Sequence, residues 1–263
     1  MKFTIFLTTA LAAFALQAPA QTTPTAAPTP RAAPDQIPTS KGPLTVQPIT
    51  HGSVVFTWNV KTIYVDPYGG AAGYTGLAAP DIILLTDIHG DHLDPQTLAG
   101  LSVGKARFVV PKAVAEKLPA EYKAQVRILS NGQRLDTLGM TISAVPMYNL
   151  PEAADARHPK GRGNGYILNL GGKNVYLSGD TEATAEMRAL KNIDVAFVCM
   201  NLPYTMDVNQ AAQGVLAFKP GIVYPYHYRG QNGLSDVAAF KKIVNAANKK
   251  IDVRLRNWYP AAQ

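Results

Sequence analysis

The sequence has one cysteine among 263 residues and no hydrophobic run long enough to cross a bilayer. One cysteine cannot form an internal disulfide, and Cys199, in the apolar run DVAFVCM, is predicted to be a packing residue. A dense basic stretch is also absent, although 25 basic and 18 acidic residues give a net charge of +7. We therefore expect no nucleic-acid partner and no stable membrane insertion of the mature chain.

The amino terminus has the pattern of an export signal. Lys2 gives a positive start, an apolar stretch follows, and Ala18-Pro19-Ala20 is typical of a cleavage site. We predict a signal peptide over residues 1–20 and a periplasmic or secreted mature protein; the alternative is an uncleaved anchor. Residues 21–40 are rich in Gln, Thr, Pro and Ala and too poor in large apolar groups to fold, which predicts a linker. Residues 41–263 are long enough to form one domain with a substantial core.

Short apolar stretches alternate with turn residues through this domain. Strands predominate in its first half, and strands alternate with helices in its second half. The predicted strands are 44–50, 54–59, 62–67, 81–85, 107–110, 126–129, 140–146, a hairpin over 166–180 around Gly171-Gly172, 194–200 and 221–228. The predicted helices are 112–118, 184–190, one capped by Asp207 and ending at Phe218, and one capped by Ser235 and ending at Ala247. These patterns predict a mixed α/β fold.

Histidines and aspartates follow several of the predicted strands. The stretch TDIHGDHLD, residues 86–94, comes directly after the apolar strand 81–85 and holds three aspartates and two histidines. Three further residues stand in comparable positions: His158 in ADARHPKGRGNG, Asp180 at the end of YLSGD and His227 at the end of VYPYH. Side chains at strand ends converge at one edge of a sheet, where α/β folds place their sites. The sequence therefore predicts one site built from several loops.

Seven of these residues occur in a recognisable order: Asp87, His89, Asp91, His92, His158, Asp180 and His227. This order resembles the metallo-β-lactamase superfamily, whose first motif is His-x-His-x-Asp-His. The resemblance covers residues 44–258, and HPKGRGNGY, SGDTE and PYHY resemble the Zn-dependent hydrolases of its ascorbate-6-phosphate lactonase-like branch. It implies a four-layer αββα sandwich.

The resemblance also implies two metal sites that share a ligand: a first site of Asp87, His89 and His158, a second of Asp91, His92 and His227, and a bridging Asp180. Two zinc ions are implied, with Mn or Fe as alternatives, and a hydroxide trapped between them is the nucleophile. Asp91 and Asp180 are accordingly predicted to be catalytic.

Asp87 departs from the superfamily pattern, which has a histidine at this position. A carboxylate is a harder, anionic ligand that favours Zn, Mn or Fe with more oxygen character. The alternative is that Asp87 caps a helix and that one ion binds.

Other candidate residues have two interpretations each. Asp66 either orients a ligand histidine or is a turn residue, and Tyr204 either donates to a substrate oxygen, as a third catalytic residue, or packs. Three basic residues beside the ligands either attract an anionic substrate or are solvated: Lys160, Arg162 and Arg229. His51 lies far from the other motifs in the sequence and is predicted to be structural.

The predicted function is that of an exported binuclear metallohydrolase that cleaves an ester, lactone or related bond of a small, anionic substrate. Phosphodiesterase or β-lactamase activity at the same site is the first alternative. A non-catalytic metal-binding protein is the second, although a binding module has no need for open metal positions.

Overall fold

The computed structural model describes Met1 and residues 31–260. Apart from Met1, the predicted signal peptide lies outside the described residues, as does the linker up to residue 30. No helix within residues 31–260 is long and apolar enough to cross a membrane.

Two sheets of seven strands form the centre of the described chain. The first sheet contains, in hydrogen-bonded order, β1 (Asp35–Ile37), β2 (Leu44–Pro48), β3 (Val54–Trp58), β4 (Lys61–Val65), β5 (Ile82–Leu84), β6 (Arg107–Val110) and β7 (Val126–Ile128). The strands that follow in the chain are β8 (Arg134–Thr137), β9 (Met140–Met147), β10 (Gly163–Leu170), β11 (Lys173–Leu177), β12 (Val195–Cys199), β13 (Ile222–Tyr226), β14 (Arg229–Gly230), β15 (Gly233–Leu234) and β16 (Asp252–Val253). The second sheet has the order β16-β13-β12-β11-β10-β9-β8, and β14 and β15 form a separate hairpin.

Five α-helices lie outside the sheets in the described chain: α1 (Pro95–Gly100), α2 (Lys112–Lys117), α3 (Ala185–Arg188), α4 (Val208–Phe218) and α5 (Val237–Ala247). Side chains alternate along β3: Val54 and Phe56 enter the core between the sheets, while Val55 packs on the outer face with α1 and α2. The other three helices cover the second sheet. The predicted four-layer αββα sandwich is confirmed.

The central hairpin between β10 and β11 forms as predicted. Leu170 pairs with Lys173, so that only Gly171 and Gly172 remain in the turn. Both glycines have positive φ, 59° and 81°. A two-residue turn of this kind requires positive φ at both positions, which glycine adopts without a steric penalty.

The folded domain begins before residue 41, which corrects the predicted linker boundary. β1 pairs antiparallel with β2, with Ile37 opposite Leu44 and buried. Asp35 accepts hydrogen bonds from Tyr224, at 2.6 Å, and from Arg256. An edge strand needs few apolar residues, because ladder hydrogen bonds and ion pairs hold it, and composition alone therefore misses it.

Two helix starts differ from the prediction. The cap of α5 is Asp236, whose carboxylate accepts from the Ala239 amide at 2.9 Å, whereas the hydroxyl of Ser235 donates to the carbonyl of Met200. α1 was not predicted, and Asp94 caps it by accepting from two backbone amides. Because Asp94 performs this role, the alternative that Asp87 caps a helix is wrong.

Candidate metal centre

Strand direction brings the loops of the site to one edge of the sandwich. β4 and β5 are parallel, and Asp66 and the loop 86–92 directly follow them. The amide of Asn164 donates to the carbonyl of Thr86 at 2.9 Å, which ties this loop to β10 of the second sheet. Gly163 permits the approach, since a Cβ there would lie 2.8 Å from that same carbonyl.

Three buried side chains converge at the centre of the site: His92, Asp180 and His227. Nε2 of His92 lies 3.2 Å from Nε2 of His227. The carboxylate of Asp180 lies 3.4 Å from each of these nitrogens. Ligand atoms about 2.0–2.2 Å from a tetrahedral zinc ion are about 3.3 Å apart, so this spacing fits a metal ion.

His92 is held so that one nitrogen faces this centre. Its Nδ1 lies 2.9 Å from the carboxylate of Asp66, which also accepts from the amide of Thr86 at 2.8 Å. A carboxylate accepts hydrogen bonds, so Nδ1 carries the hydrogen and Nε2 presents its lone pair. Of the two interpretations of Asp66, the structure agrees with orientation of a histidine.

His158 is oriented in the same way by a different partner. Its Nδ1 lies 3.0 Å from the side-chain oxygen of Asn149. Its Nε2 is buried and has no hydrogen-bond partner among the described residues, although it lies 3.2 Å from Asp180. One oxygen of Asp180 also has no hydrogen-bond partner in residues 31–260. Buried polar atoms without partners are costly, and a metal ion would satisfy both.

Asp180 connects this centre to a second group, which consists of Asp87, His89 and His158. Oδ2 of Asp180 faces the nitrogens of both His158 and His92, while Oδ1 faces His227. This is the position that the resemblance implies for a bridging ligand. All seven residues predicted as metal ligands therefore lie in one cluster.

The carboxylates make the centre strongly negative. Burial alone would lower the pKa of His92, yet Asp180 and Asp66 raise it well above its usual value. Burial alone would raise the pKa of Asp180, but the imidazoles of His227 and His92 hold it well below its usual range. A field that stabilises positive charge this strongly also attracts a divalent cation.

Three residues of the site have left-handed backbone conformations. The φ angles of His51, Asp66 and His227 are 53°, 42° and 47°. Residues other than glycine rarely adopt this region, because the Cβ atom crowds the backbone. Such strain is retained where surrounding contacts impose it, and here it directs side chains into the centre.

Comparison with known proteins gives the same assignment as the geometry. A family model described as a β-lactamase superfamily domain matches residues 45–227. The chain is 31% identical over 203 residues to a UPF0173 metal-dependent hydrolase of Pyrococcus abyssi, covering 73% of this chain and 88% of the relative. The chain belongs to the metallo-β-lactamase superfamily.

Two solved structures have the same fold as this chain. One from Parabacteroides distasonis, named for a metal-dependent hydrolase, is 38% identical and has a TM-score of 0.76, covering 86% of this chain and 98% of that one. A metallo hydrolase from Ignicoccus hospitalis is 24% identical with a TM-score of 0.69, covering 81% and 95% of the two chains.

His51 also belongs to this metallo-β-lactamase-type centre, and its place there was not predicted from the sequence. Its Nε2 lies 3.0 Å from Asp91, and its Nδ1 lies 2.7 Å from the hydroxyl of Tyr259. Its ring centroid is 3.9 Å from that of His227. His51 was predicted to be structural because it lies far from the other motifs in the sequence, whereas in the fold it lies against two of the predicted ligands, Asp91 and His227. Strand direction was the available signal, since β2 ends at the same edge as β4 and β5.

Tyr204 is not placed among the metal-binding atoms. The guanidinium carbon of Arg157 lies over the ring of Tyr204, 4.3 Å from the centroid of that ring. The carbonyl of Tyr204 accepts from the side chain of Asn149 at 2.9 Å, the residue that orients His158. Among the described residues its hydroxyl makes no hydrogen bond to the cluster, and its role as a donor to a substrate oxygen stays a prediction.

The three basic residues beside the ligands have different surroundings. Lys160 pairs with Glu186 at 2.9 Å and Glu152 at 3.3 Å. Arg162 pairs with Asp87 through two nitrogens. The guanidinium of Arg229 lies 4.5 Å from the centroid of the Tyr259 ring and forms no ion pair with a carboxylate in the described chain. Arg229 is therefore the one of these three side chains that remains available to an anionic ligand.

Proposed function

We propose that this chain is a metal-dependent hydrolase that cleaves an ester or lactone bond of a small, anionic molecule, with zinc at the histidine and aspartate cluster. The observation that carries the proposal is the convergence of His92, Asp180 and His227 with inward-facing atoms at metal-ligand spacing. The relatives named as metal-dependent hydrolases support the reaction class. The superfamily pattern implies two zinc ions, with Mn or Fe as alternatives.

The protein's own residues have distinct roles in this proposal. When bound, zinc lowers the pKa of a water molecule toward neutrality and polarises the bond to be cleaved. Asp66 and Asn149 fix the tautomers of two ligand histidines. The hydrogen-bonded chain from Asp91 through His51 to Tyr259 offers a route by which a proton leaves the reacting centre.

A cleft beside the centre has the size of a small-molecule site. Its volume is about 630 Å³, and Thr50 and Tyr68 line it. The ring of Tyr68 lies 5.8 Å from that of His51. Small-molecule sites have volumes of about 300–1,000 Å³ and mostly apolar walls with a few polar groups. The cleft is lined next to His51 and not by the metal ligands themselves, and its size supports a small substrate rather than a polymer. Arg229, which packs on Tyr259 outside the lining of the cleft, supports an anionic substrate.

The test is a hydrolysis panel on the purified mature protein. We expect turnover of lactones or carboxylic esters, loss of this activity after chelation, and recovery on addition of zinc. His227→Ala should be inactive on the same substrates and serves as the control for a contaminating enzyme. If β-lactams or phosphodiesters were cleaved and lactones and esters were not, the proposed substrate class would be wrong.

A further inference from the structure

Arg162 forms a buried two-point ion pair with Asp87. Nε and Nη2 of Arg162 donate to the two carboxylate oxygens at 3.0 and 2.8 Å. The side chain of Asp87 is fully buried, and that of Arg162 is 19% exposed. Such paired bonds between a guanidinium and a carboxylate are among the strongest side-chain hydrogen bonds, because charge and geometry match. The charge of Asp87 is therefore already balanced by the protein.

His89 adds a second contact within the same group. Its Nδ1 lies 2.7 Å from Oδ2 of Asp87, the oxygen that also accepts from Arg162. These two atoms are within ion-pair distance but do not have the N–H···O geometry of a hydrogen bond, so the contact does not fix the tautomer of His89. The Asp87 oxygen nearest to His89 is, however, already engaged by the Arg162 guanidinium.

The other ligand histidines differ in this respect. His92 and His158 donate from Nδ1 to Asp66 and Asn149, which are outside the ligand set, and their Nε2 atoms face inward. Within residues 31–260, neither Asp91 nor Asp180 pairs with a lysine or arginine; only histidines lie within ion-pair distance of them. Among the predicted ligands, the carboxylate charge that no lysine or arginine balances is therefore that of Asp91 and Asp180, which face His92 and His227.

We propose that the protein binds one divalent ion tightly, at His92, Asp180 and His227, and that Arg162 prevents tight binding of a second ion beside Asp87. The guanidinium supplies the positive charge that the first ion of the superfamily pattern would supply. This inference rests on the proposed metal-dependent function. The inference goes beyond that function because it assigns one tight site instead of the two that the sequence pattern implies, and because it names Arg162 as the residue responsible.

The experiment measures metal stoichiometry and does not depend on activity. Chelator-treated protein is titrated with Zn²⁺ or Mn²⁺ and desalted, and the metal content is determined by mass spectrometry. Wild-type protein should retain one ion per chain, and its Mn²⁺ form should give the electron paramagnetic resonance spectrum of an isolated ion. Arg162→Met frees Asp87 and should retain two ions, with the spectrum of a coupled pair.

Arg157→Met is the matched control. Arg157 lies in the same loop and carries the same charge, but it stacks on Tyr204 and forms no ion pair in the described structure. This variant should remain at one ion per chain. If it also bound two, the general loss of positive charge would explain the effect, and the assignment to Arg162 would be wrong.

Other outcomes separate this inference from the proposed function. Two ions of similar affinity in wild-type protein would overturn the inference and leave the metal-dependent function intact, whereas no tightly bound ion would overturn both. If Arg162→Met folded and still bound one ion, Arg162 would not be the limiting residue. Should circular dichroism show that Arg162→Met does not fold, Arg162→Gln decides, because its neutral amide removes the charge that balances Asp87 and keeps a hydrogen-bond donor beside it. It should bind the second ion about tenfold more tightly than wild type, and unchanged affinity would contradict the proposal.

Discussion

Asp180 is the side chain on which the candidate centre depends most, because its oxygens face ligand nitrogens from three loops. Asp180→Ala should lower metal affinity and ester or lactone turnover by several orders of magnitude, since the activated water and the polarised bond both depend on the metal. Metal content and turnover measure the effect. Asp194→Ala, which removes a partly buried carboxylate that pairs with Lys173, is the control and should retain activity. Near-normal turnover of Asp180→Ala on a verified substrate would contradict the assignment.

His51 acts on the centre through Asp91. His51→Ala removes the hydrogen bond that Nε2 of His51 donates to the carboxylate of Asp91. It should lower metal affinity or turnover by about 10–100-fold, the range typical of partners that orient metal ligands. Tyr259→Phe leaves the imidazole in place and should have a smaller effect. Zinc titration against a competing chelator gives the affinities. If His51→Ala bound zinc as tightly as wild type and kept its turnover, His51 would be a packing residue.

At the residue scale, the sequence predicts which histidines and aspartates come together, but it does not predict the contacts that support them. The seven predicted ligands meet because ligand types and strand ends are both visible in the sequence. The pairing of Arg162 with Asp87 was not predicted, because it joins residues 75 positions apart and depends on how the loop before β10 meets the loop after β5. His51 was missed for the same reason, since its place follows from the direction of β2.

At the scale of elements, apolar runs bounded by turn residues located most strands to within a few residues. The failures have physical causes. α1 was not predicted, because its six residues are too few for a helical repeat to be visible in the sequence. β1 was not predicted, because its stability comes from pairing with β2 and from contacts of Asp35 with Tyr224 and Arg256 rather than from apolar residues.

The contacts of Asp35 make a prediction about stability. Burial alone would raise the pKa of Asp35, but hydrogen bonds from Arg256 and Tyr224 lower it below its usual value. Asp35→Asn should lower the free energy of unfolding by about 1–3 kcal/mol at neutral pH, measured by urea denaturation. Because the pKa is lowered in the folded state, this stabilisation is complete above the unfolded value of about 3.9 and is lost as pH falls through the folded value.

The difference between wild type and Asp35→Asn should therefore shrink in acid. Asp136→Asn is a suitable control, because Asp136 also accepts from an arginine but on an exposed hairpin. Its effect should be clearly smaller than that of Asp35→Asn, because solvent screens an exposed ion pair. A difference for Asp35→Asn that did not change between neutral pH and pH values below about 3 would show that its charge is not the stabilising feature.

For the whole molecule, the predicted export remains to be tested. We propose that residues 1–20 are removed and that the mature protein acts in the periplasm or outside the cell, on the basis of Lys2, the apolar stretch and Ala18-Pro19-Ala20. Intact-mass measurement of protein from the native host should give a chain that starts at Gln21. A cytosolic chain that retains Met1 would contradict this prediction.

Both ends of the described chain border the cleft beside His51, since Arg31 and Pro260 line it together. A fusion tag attached before Arg31 or after Pro260 would therefore leave the domain next to the proposed substrate site and could obstruct it. The exposed turn at Lys249-Lys250, after α5, is a better place for an affinity tag. The contact between Asp35 and Arg256 also brings the two ends of the described chain close enough for a short linker to join them in a circularly permuted chain.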